Sequence, residues 1–242
     1  MSRTSYENYG AGADQANPTI VAGRYACQSK AERLIVVDVA TKLALCPDDD
    51  LLEIGCSAGN ILIPLAFLCR SATGIDHPAL LRRLSRRFPG PPEITLLPGN
   101  FLDIEPEASY SKILMYSMLH YLSSLEEVLE FIHKAASLLR PRGRMLLGEL
   151  PNADHKRRFL ATEAGQTFNE EWSRRRRDAA APENEIVGDE DQQLVASFDD
   201  ASIFRIVRSM REAGFETYVL EQDPELPFGH TREDVLIVAA DD

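Results

Sequence analysis

The stretch Leu51-Leu52-Glu53-Ile54-Gly55-Cys56-Ser57-Ala58-Gly59-Asn60 constrains this chain more than any other. An apolar strand runs into an acidic residue, and a turn with two glycines follows. A new apolar run, Ile61-Leu62-Ile63-Pro64-Leu65-Ala66-Phe67, then has helical character. A strand that turns directly into a helix places the free N–H groups of the helix's first turn at the strand end, where they suit a polar or anionic ligand. Gly55 permits the turn, and Gly59 lets a ligand approach the backbone closely. Such a unit suits a nucleoside. Ser57 stands where the second glycine of a G-x-G-x-x-G turn would fall, and no Gly-Lys-Ser/Thr follows, so neither the nicotinamide pattern nor a P-loop is present. Taken alone, the stretch is equally an ordinary turn between a strand and a helix.

A second link comes from Ala72–Ile75, which reads as a strand ending in Asp76. An acid at the end of the second strand, about 20 residues after the glycine turn, suits a bidentate contact to ribose hydroxyls. His77-Pro78 would lie along an adenine face, and Pro78 would start a helix. After a third strand, Glu93–Leu97, come Asn100 and Phe101, which read plainly as a turn capped by Asn100.

The ordered series of pieces resembles the class I S-adenosylmethionine (SAM) dependent methyltransferases. Glu53 to Gly59 follow the family's E/D-x-G-x-G-x-G turn, which carries the methionine end of SAM, with Ser57 departing from it. Asn100 takes the place of the first acid in the adenine-binding G-D-h-x-D stretch. The resemblance gives an adenine contact there, through the Asn100 side-chain amide and the Phe101 backbone. Ser117-Met118-Leu119-His120-Tyr121-Leu122 follows a fourth strand, Lys112–Tyr116, and is similar to the "LHHL"-type loop of small-molecule members. It is not the N/D-P-P-Y/F loop that clamps a base or an amide. Ser111 opens the fourth strand where the family has an acid. Leu139 to Glu149 match the L-x-P-G-G-x-h-h-h turn into a fifth strand, with Arg142 replacing one glycine.

The resemblance covers about residues 30–240 apart from an insertion. It implies an α/β, Rossmann-like, seven-stranded, mostly parallel sheet with a C-terminal antiparallel strand and helices on both faces. It implies SAM as cofactor, held by Glu53, Gly55, Cys56, Ser57, Gly59, Asn60, Asp76, His77, Asn100, Phe101 and Ser117, with no metal. The tail around Leu226-Pro227-Phe228 and Arg232 to Ile237 is also similar to methyltransferases encoded with bacterial surface-polysaccharide genes. That narrower likeness implies carbohydrate biosynthesis, with a sugar or nucleotide sugar as acceptor.

Methyl transfer from a sulfonium mainly requires alignment and exclusion of water. A hydroxyl acceptor also needs a base, whereas an amine need only be unprotonated. His120 is the base expected from its motif position, or else a packing histidine. Glu149, His155 and His230 are secondary candidates. The alternatives are a catalytically silent SAM-binding partner subunit, a methyltransferase of another natural product, or another nucleotide-binding protein of this architecture.

Composition narrows the partners. Acidic residues outnumber basic ones 38 to 26, for a net charge of −12, which disfavours a nucleic-acid footprint. No apolar run reaches the roughly 18 residues of a membrane span. The N-terminus lacks a signal-peptide core. A cytoplasmic protein acting on a small molecule is expected, with no membrane partner. The four cysteines show no C-x-x-C spacing, which disfavours structural zinc. Cys46, Cys56 and Cys69 read as buried thiols.

The chain divides into an arm (1–29), a core (30–150), an insertion (151–200) and a C-terminal part (201–242) that completes the core. Residues 1–28 read as irregular, and Tyr6, Tyr9 and Tyr25 either fold over a nucleoside or belong to a loose tail. Leu34, Val37, Val39 and Leu43 predict the apolar stripe of a helix over Lys30–Leu45. Arg82, Arg83, Arg86 and Arg87 would face solvent on the helix from Pro78. Ser124 and Glu127 predict a capping box for a helix to Leu139. The insertion holds Trp172, an arginine run at 174–177 and an acidic run at 183–191. It would cover the site or form the contact of a homodimer. Asp200–Ala213 is a final helix ended by Gly214, followed by strands Glu216–Glu221 and Asp234–Ala239.

Overall fold

A computed structural model describes residues 3–88, 90–178 and 198–241. Seven strands form one sheet: β1 (Asp50–Ile54), β2 (Ser71–Asp76), β3 (Ile94–Pro98), β4 (Tyr110–Tyr116), β5 (Leu139–Pro151), β6 (Glu216–Glu221) and β7 (Arg232–Val238). Their order is β3-β2-β1-β4-β5-β7-β6. β7 runs antiparallel to both neighbours, and the pairs β1–β2, β2–β3, β1–β4 and β4–β5 are parallel. This is the fold class expected from the sequence. β1 pairs with β2 on one side and β4 on the other, so connections leave it in opposite directions. The crevice beyond its carboxyl end is therefore a topological switch point, where ligands bind in such sheets.

Side-chain alternation decides which face each strand residue serves. Leu52, Ile113, Met115, Met145 and Leu147 enter one apolar core. Leu51, Leu114, Tyr116 and Leu146 enter the other. Helices α6 (Leu125–Ala136) and α9 (Asp200–Glu212) cover the first face. Helices α3 (Ser29–Leu43), α4 (Leu62–Ala66) and α5 (Pro78–Arg87) cover the second. The Ser124 hydroxyl accepts from the Glu127 N–H of α6, but the Glu127 carboxylate turns to the N–H of Ser123, so the expected capping box is only half made.

Several local expectations need correction. The buried stripe of α3 is Ile35, Val39 and Leu43, at strict four-residue spacing, whereas Leu34 and Val37 are 42% and 67% exposed. The arm is helical: α1 (Arg3–Ala11) and α2 (Pro18–Val21) are joined by a 3-10 turn. Tertiary contacts hold it. Arg83 donates to the carbonyls of Ala13 (2.7 Å), Gln15 and Ala16, and Arg87 donates to the carbonyl of Ala58 at 2.5 Å. Those two arginines are staples rather than solvated charges. Cys46 is exposed because it lies beyond the left-handed cap at Ala44 that ends α3. α7 (Ala153–Leu160) and α8 (Glu163–Asp178) follow β5, and the acidic run at 183–191 lies outside the described residues.

Gly59, at φ +81°, packs helix against turn. A Cβ there would stand 2.8 Å from Leu84 Cγ and 2.9 Å from Ile63 Cδ1. Gly59→Ala is therefore expected to lower stability by about 1–3 kcal/mol through overpacking. Urea unfolding reads this as a lower midpoint, and an unchanged midpoint would show that α5 has room to yield.

Candidate active site

A cavity opens at the carboxyl ends of β1, β2 and β4. Nine of the residues singled out from the sequence line it: Glu53, Gly55, Cys56, Ser57, Asn60, Asp76, Asn100, Phe101 and Ser117. Gly59 and His77 do not. Gly59 is occupied by the packing just described. His77 caps α5, its Nδ1 accepting from the Ala79 N–H at 3.2 Å, and its ring meets the edge of Tyr6 at 4.8 Å. α4 is little more than one turn long, so the turn itself supplies most of the N–H groups at this end.

The backbone at the crevice is forced. Ser57, Ser117 and Glu149 have φ of +50°, +56° and +60°, a region that non-glycine residues enter at a cost. They stand just beyond β1, just beyond β4 and near the end of β5. Asn60 ties the turn to the arm, donating to the carbonyl of Pro18 and the carboxylate of Glu32, both at 2.9 Å. Asn100 caps its own turn by accepting from the Leu102 N–H and also lines the cavity.

The charges are unusual. Asp76 accepts from the N–H groups of Ser57 and His77, each at 2.6 Å. Crowding by protein atoms still pushes its pKa up to about 6. Glu53 is fully buried, and burial pushes it to about 8, helped by Asp76 and opposed by Arg24. Its Oε2 has no hydrogen-bond partner among the described residues. Arg24 lines the same cavity and donates to Glu149 at 2.9 Å, and its Nε is also unpartnered.

The four candidate bases are not gathered around this cavity. His120 lies on a 3-10 turn after β4, is 2% exposed and is not among the residues lining this cavity. Burial, then Arg232 and Arg24, hold its pKa well below the ordinary value, so it is a neutral ring. Glu149 is wholly buried against Arg24. His230 lies elsewhere, stacked on Phe159 at 4.5 Å. It lines a second cavity of about 410 Å³ between α7, α8 and the loop before β7. His155 sits 3.4 Å from Glu233.

Sequence reasoning missed Arg24, Met118, Tyr116 and Tyr121 in the first cavity and Arg232 in the second. Tyr6 was noticed, and it does line the first cavity. For Arg24 the only signal was an arginine in an otherwise acidic-to-neutral arm. Among the described residues no group of three His, Cys, Asp or Glu side chains is placed to hold a metal. No described helix is long and apolar enough to cross a membrane.

Residues 51–143 match the model of a methyltransferase domain family. Over 112 residues the chain is 27% identical to nodulation protein S of Sinorhizobium fredii, covering 46% of this chain and 52% of the relative. Nodulation protein S of Rhizobium tropici is 28% identical over 116 residues, 48% of this chain and 49% of the relative. The chain thus spans about half the length of the curated relatives it matches. The fold is similar to that of the N-methyltransferase NodS from Bradyrhizobium japonicum WM9, solved with S-adenosyl-L-homocysteine (SAH). The TM-score is 0.62 at 17% identity, covering 97% of this chain and 98% of that one. Magnesium protoporphyrin IX methyltransferase from Synechocystis PCC 6803, solved with SAH, gives 0.60 at 15% identity, with 98% and 95% covered.

Glu53 sets a pH dependence. The folded chain keeps a proton on it between the ordinary value of 4.5 and about 8, whereas the unfolded chain releases it. Stability of the ligand-free protein is therefore expected to fall as pH rises through that window, by at most about 1.36 kcal/mol per pH unit from this group. Asp76 adds the same sign below about 6. Unfolding measured from pH 6.5 to 8 should lose most of its slope in Glu53→Gln, and an identical slope would place the proton elsewhere.

Proposed function

We propose, from the match of residues 51–143 to a methyltransferase domain family and from the fold, that the chain transfers a methyl group from SAM to an amine of a small, polar, sugar-like metabolite. The observation that carries the reading is the cavity at the switch point. It has a carboxylate at the second strand end, an apolar wall of Ile75, Leu80 and Phe101, and an arginine at the other side. These residues fit the cofactor. The carboxylate of Asp76 suits ribose hydroxyls. The unpartnered Arg24 Nε suits a carboxylate, and the unpartnered Oε2 of Glu53 suits an ammonium. Bound SAM supplies a methyl group already activated on a sulfonium.

What remains for the protein is positioning and exclusion of water. His120 is neutral but withdrawn from the cavity, and Glu149 is tied to Arg24. Among the described residues, then, none of the expected bases faces the cofactor cavity. An amine acceptor that enters unprotonated needs none. The printed name of the Bradyrhizobium neighbour, an N-methyltransferase, agrees with this choice. The second cavity is where we place the acceptor, with α7 and α8 as its cover.

Two measurements test the reading. Asp76→Ala should weaken SAM binding by roughly 1.5–3 kcal/mol for each charge-assisted bond lost, as calorimetry reports, and unchanged affinity would remove Asp76 from the cofactor site. Labelled SAM should modify amino sugars and leave the matching neutral hydroxy sugars unmodified, with His120→Asn retaining turnover within a few-fold. A loss of about 10²–10⁴-fold in that variant would instead make His120 the base for a hydroxyl acceptor.

A further inference from the structure

The second cavity has an electrostatic character opposite to that of the chain. The net charge is −12, yet among the described residues the lining holds Lys156 and Arg232 and no aspartate or glutamate. Arg232 is 7% exposed. Its guanidinium lies over the ring of Phe228 at 4.9 Å. It makes no ion pair among the described residues, and its buried Nη1 has no hydrogen-bond partner.

Other buried cations here are matched. Arg24 has Glu149 at 2.9 Å, Lys42 has Asp234 at 2.7 Å and Lys112 has Asp49 at 3.7 Å. A guanidinium taken out of water without a counter-ion is costly, and a wall position lets a bound anion relieve that cost. Phe159, Phe168, Trp172 and Phe228 supply flat apolar faces around the same space. Such faces take up the C–H side of a sugar ring or an aromatic ring. His120 lines neither cavity but feels Arg24 of the first and Arg232 of the second.

We propose that the second cavity binds an acceptor carrying a phosphate or carboxylate next to a flat ring, with Arg232 as the anchor of the anion. The proposal rests on the methyltransferase reading and names the substrate class of its acceptor site. Arg232 is a binding residue in it, and the anion fixes how the ring is presented to the first cavity.

The test uses the full chain saturated with SAH and pairs of probes that differ in the anion. Glucosamine 6-phosphate is compared with glucosamine, and 4-aminobenzoate with 4-aminobenzamide, by calorimetry. At least one anionic probe should bind tenfold or more tightly than its neutral partner, and which pair does so separates phosphate from carboxylate. Arg232→Gln should reduce that preference to less than twofold without changing SAH affinity. The ligand-free Tm of Arg232→Gln should equal or exceed that of the parent, since an unmatched charge is gone. Arg232→Lys, which loses the planar fork, should bind the preferred anion at least tenfold more weakly, and this holds the test open if the glutamine variant does not fold. Equal binding of charged and neutral probes, a preference that survives Arg232→Gln, or full affinity in Arg232→Lys would each overturn the proposal. Failure to bind SAH at all would instead count against the methyltransferase reading.

Discussion

The buried ion pair between Arg24 and Glu149 is the contact on which the rest of the site depends. Arg24 follows α2 in the arm, and Glu149 lies near the end of β5, 125 residues away in sequence. Both are almost wholly removed from water, at 2% and 0% exposure. Charges in such a place need further bonds to be tolerated. Arg24 also donates to the carbonyl of Ala22 and lies 3.5 Å from Glu32. The Glu149 N–H donates to Asp234 at 2.8 Å, and Asp234 in turn accepts from Lys42 and Gln222. The arm, α3, β5 and β7 are joined through one polar network. Losing either member of the pair would leave a lone buried charge, at a cost of about 3–5 kcal/mol. The arm that closes the first cavity is thus held by the sheet's most buried charges.

The same network explains how the crevice keeps its backbone. Left-handed φ at Ser57, Ser117 and Glu149 places strain at three neighbouring strand ends. Each is over-determined by a bond that a relaxed backbone would break. The Ser57 N–H reaches Asp76, the Ser117 N–H reaches the carbonyl of Gly148, and the Glu149 N–H reaches Asp234. Strain held by surrounding structure is characteristic of sites that present groups to a ligand. It also accounts for the two places where the chain departs from the glycine pattern of the family. Ser57 and Arg142 keep the positive φ that glycine would adopt freely, at +50° and +62°.

Features set by short-range pattern were legible in the sequence. β1, its glycine turn and Asp76 follow from local apolar runs and from spacing, and they carried both the fold class and nine lining residues of the first cavity. The helical arm was not legible. Its segments are polar, and what folds them lies far along the chain in Asn60, Arg83 and Glu149. The stripe of α3 was misplaced because Leu34 and Val37 are as apolar as Ile35 and Val39, and only the packing partner chooses between them. The second cavity was invisible for a different reason. Its walls come from residues 151–173, Phe198 and 227–232, so its aromatics appear in sequence as scattered exceptions in polar segments.

His120 shows where motif position and chemistry part. Its place after β4 was read correctly, and a free imidazole at that point would be a suitable base. Two arginines and full burial change what the ring is. They hold it neutral and out of solvent, under the influence of one cation that has its counter-ion and one that makes no ion pair among the described residues. Arg24 is paired with Glu149, whereas Arg232 makes no ion pair among the described residues. An anion placed against Arg232 would remove a repulsive charge from the His120 side and make the ring easier to protonate. The electrostatics around His120 therefore depend on what fills the second cavity. Whichever atom accepts the methyl group, a ligand anion at Arg232 would complete a charge balance that the described residues leave open there.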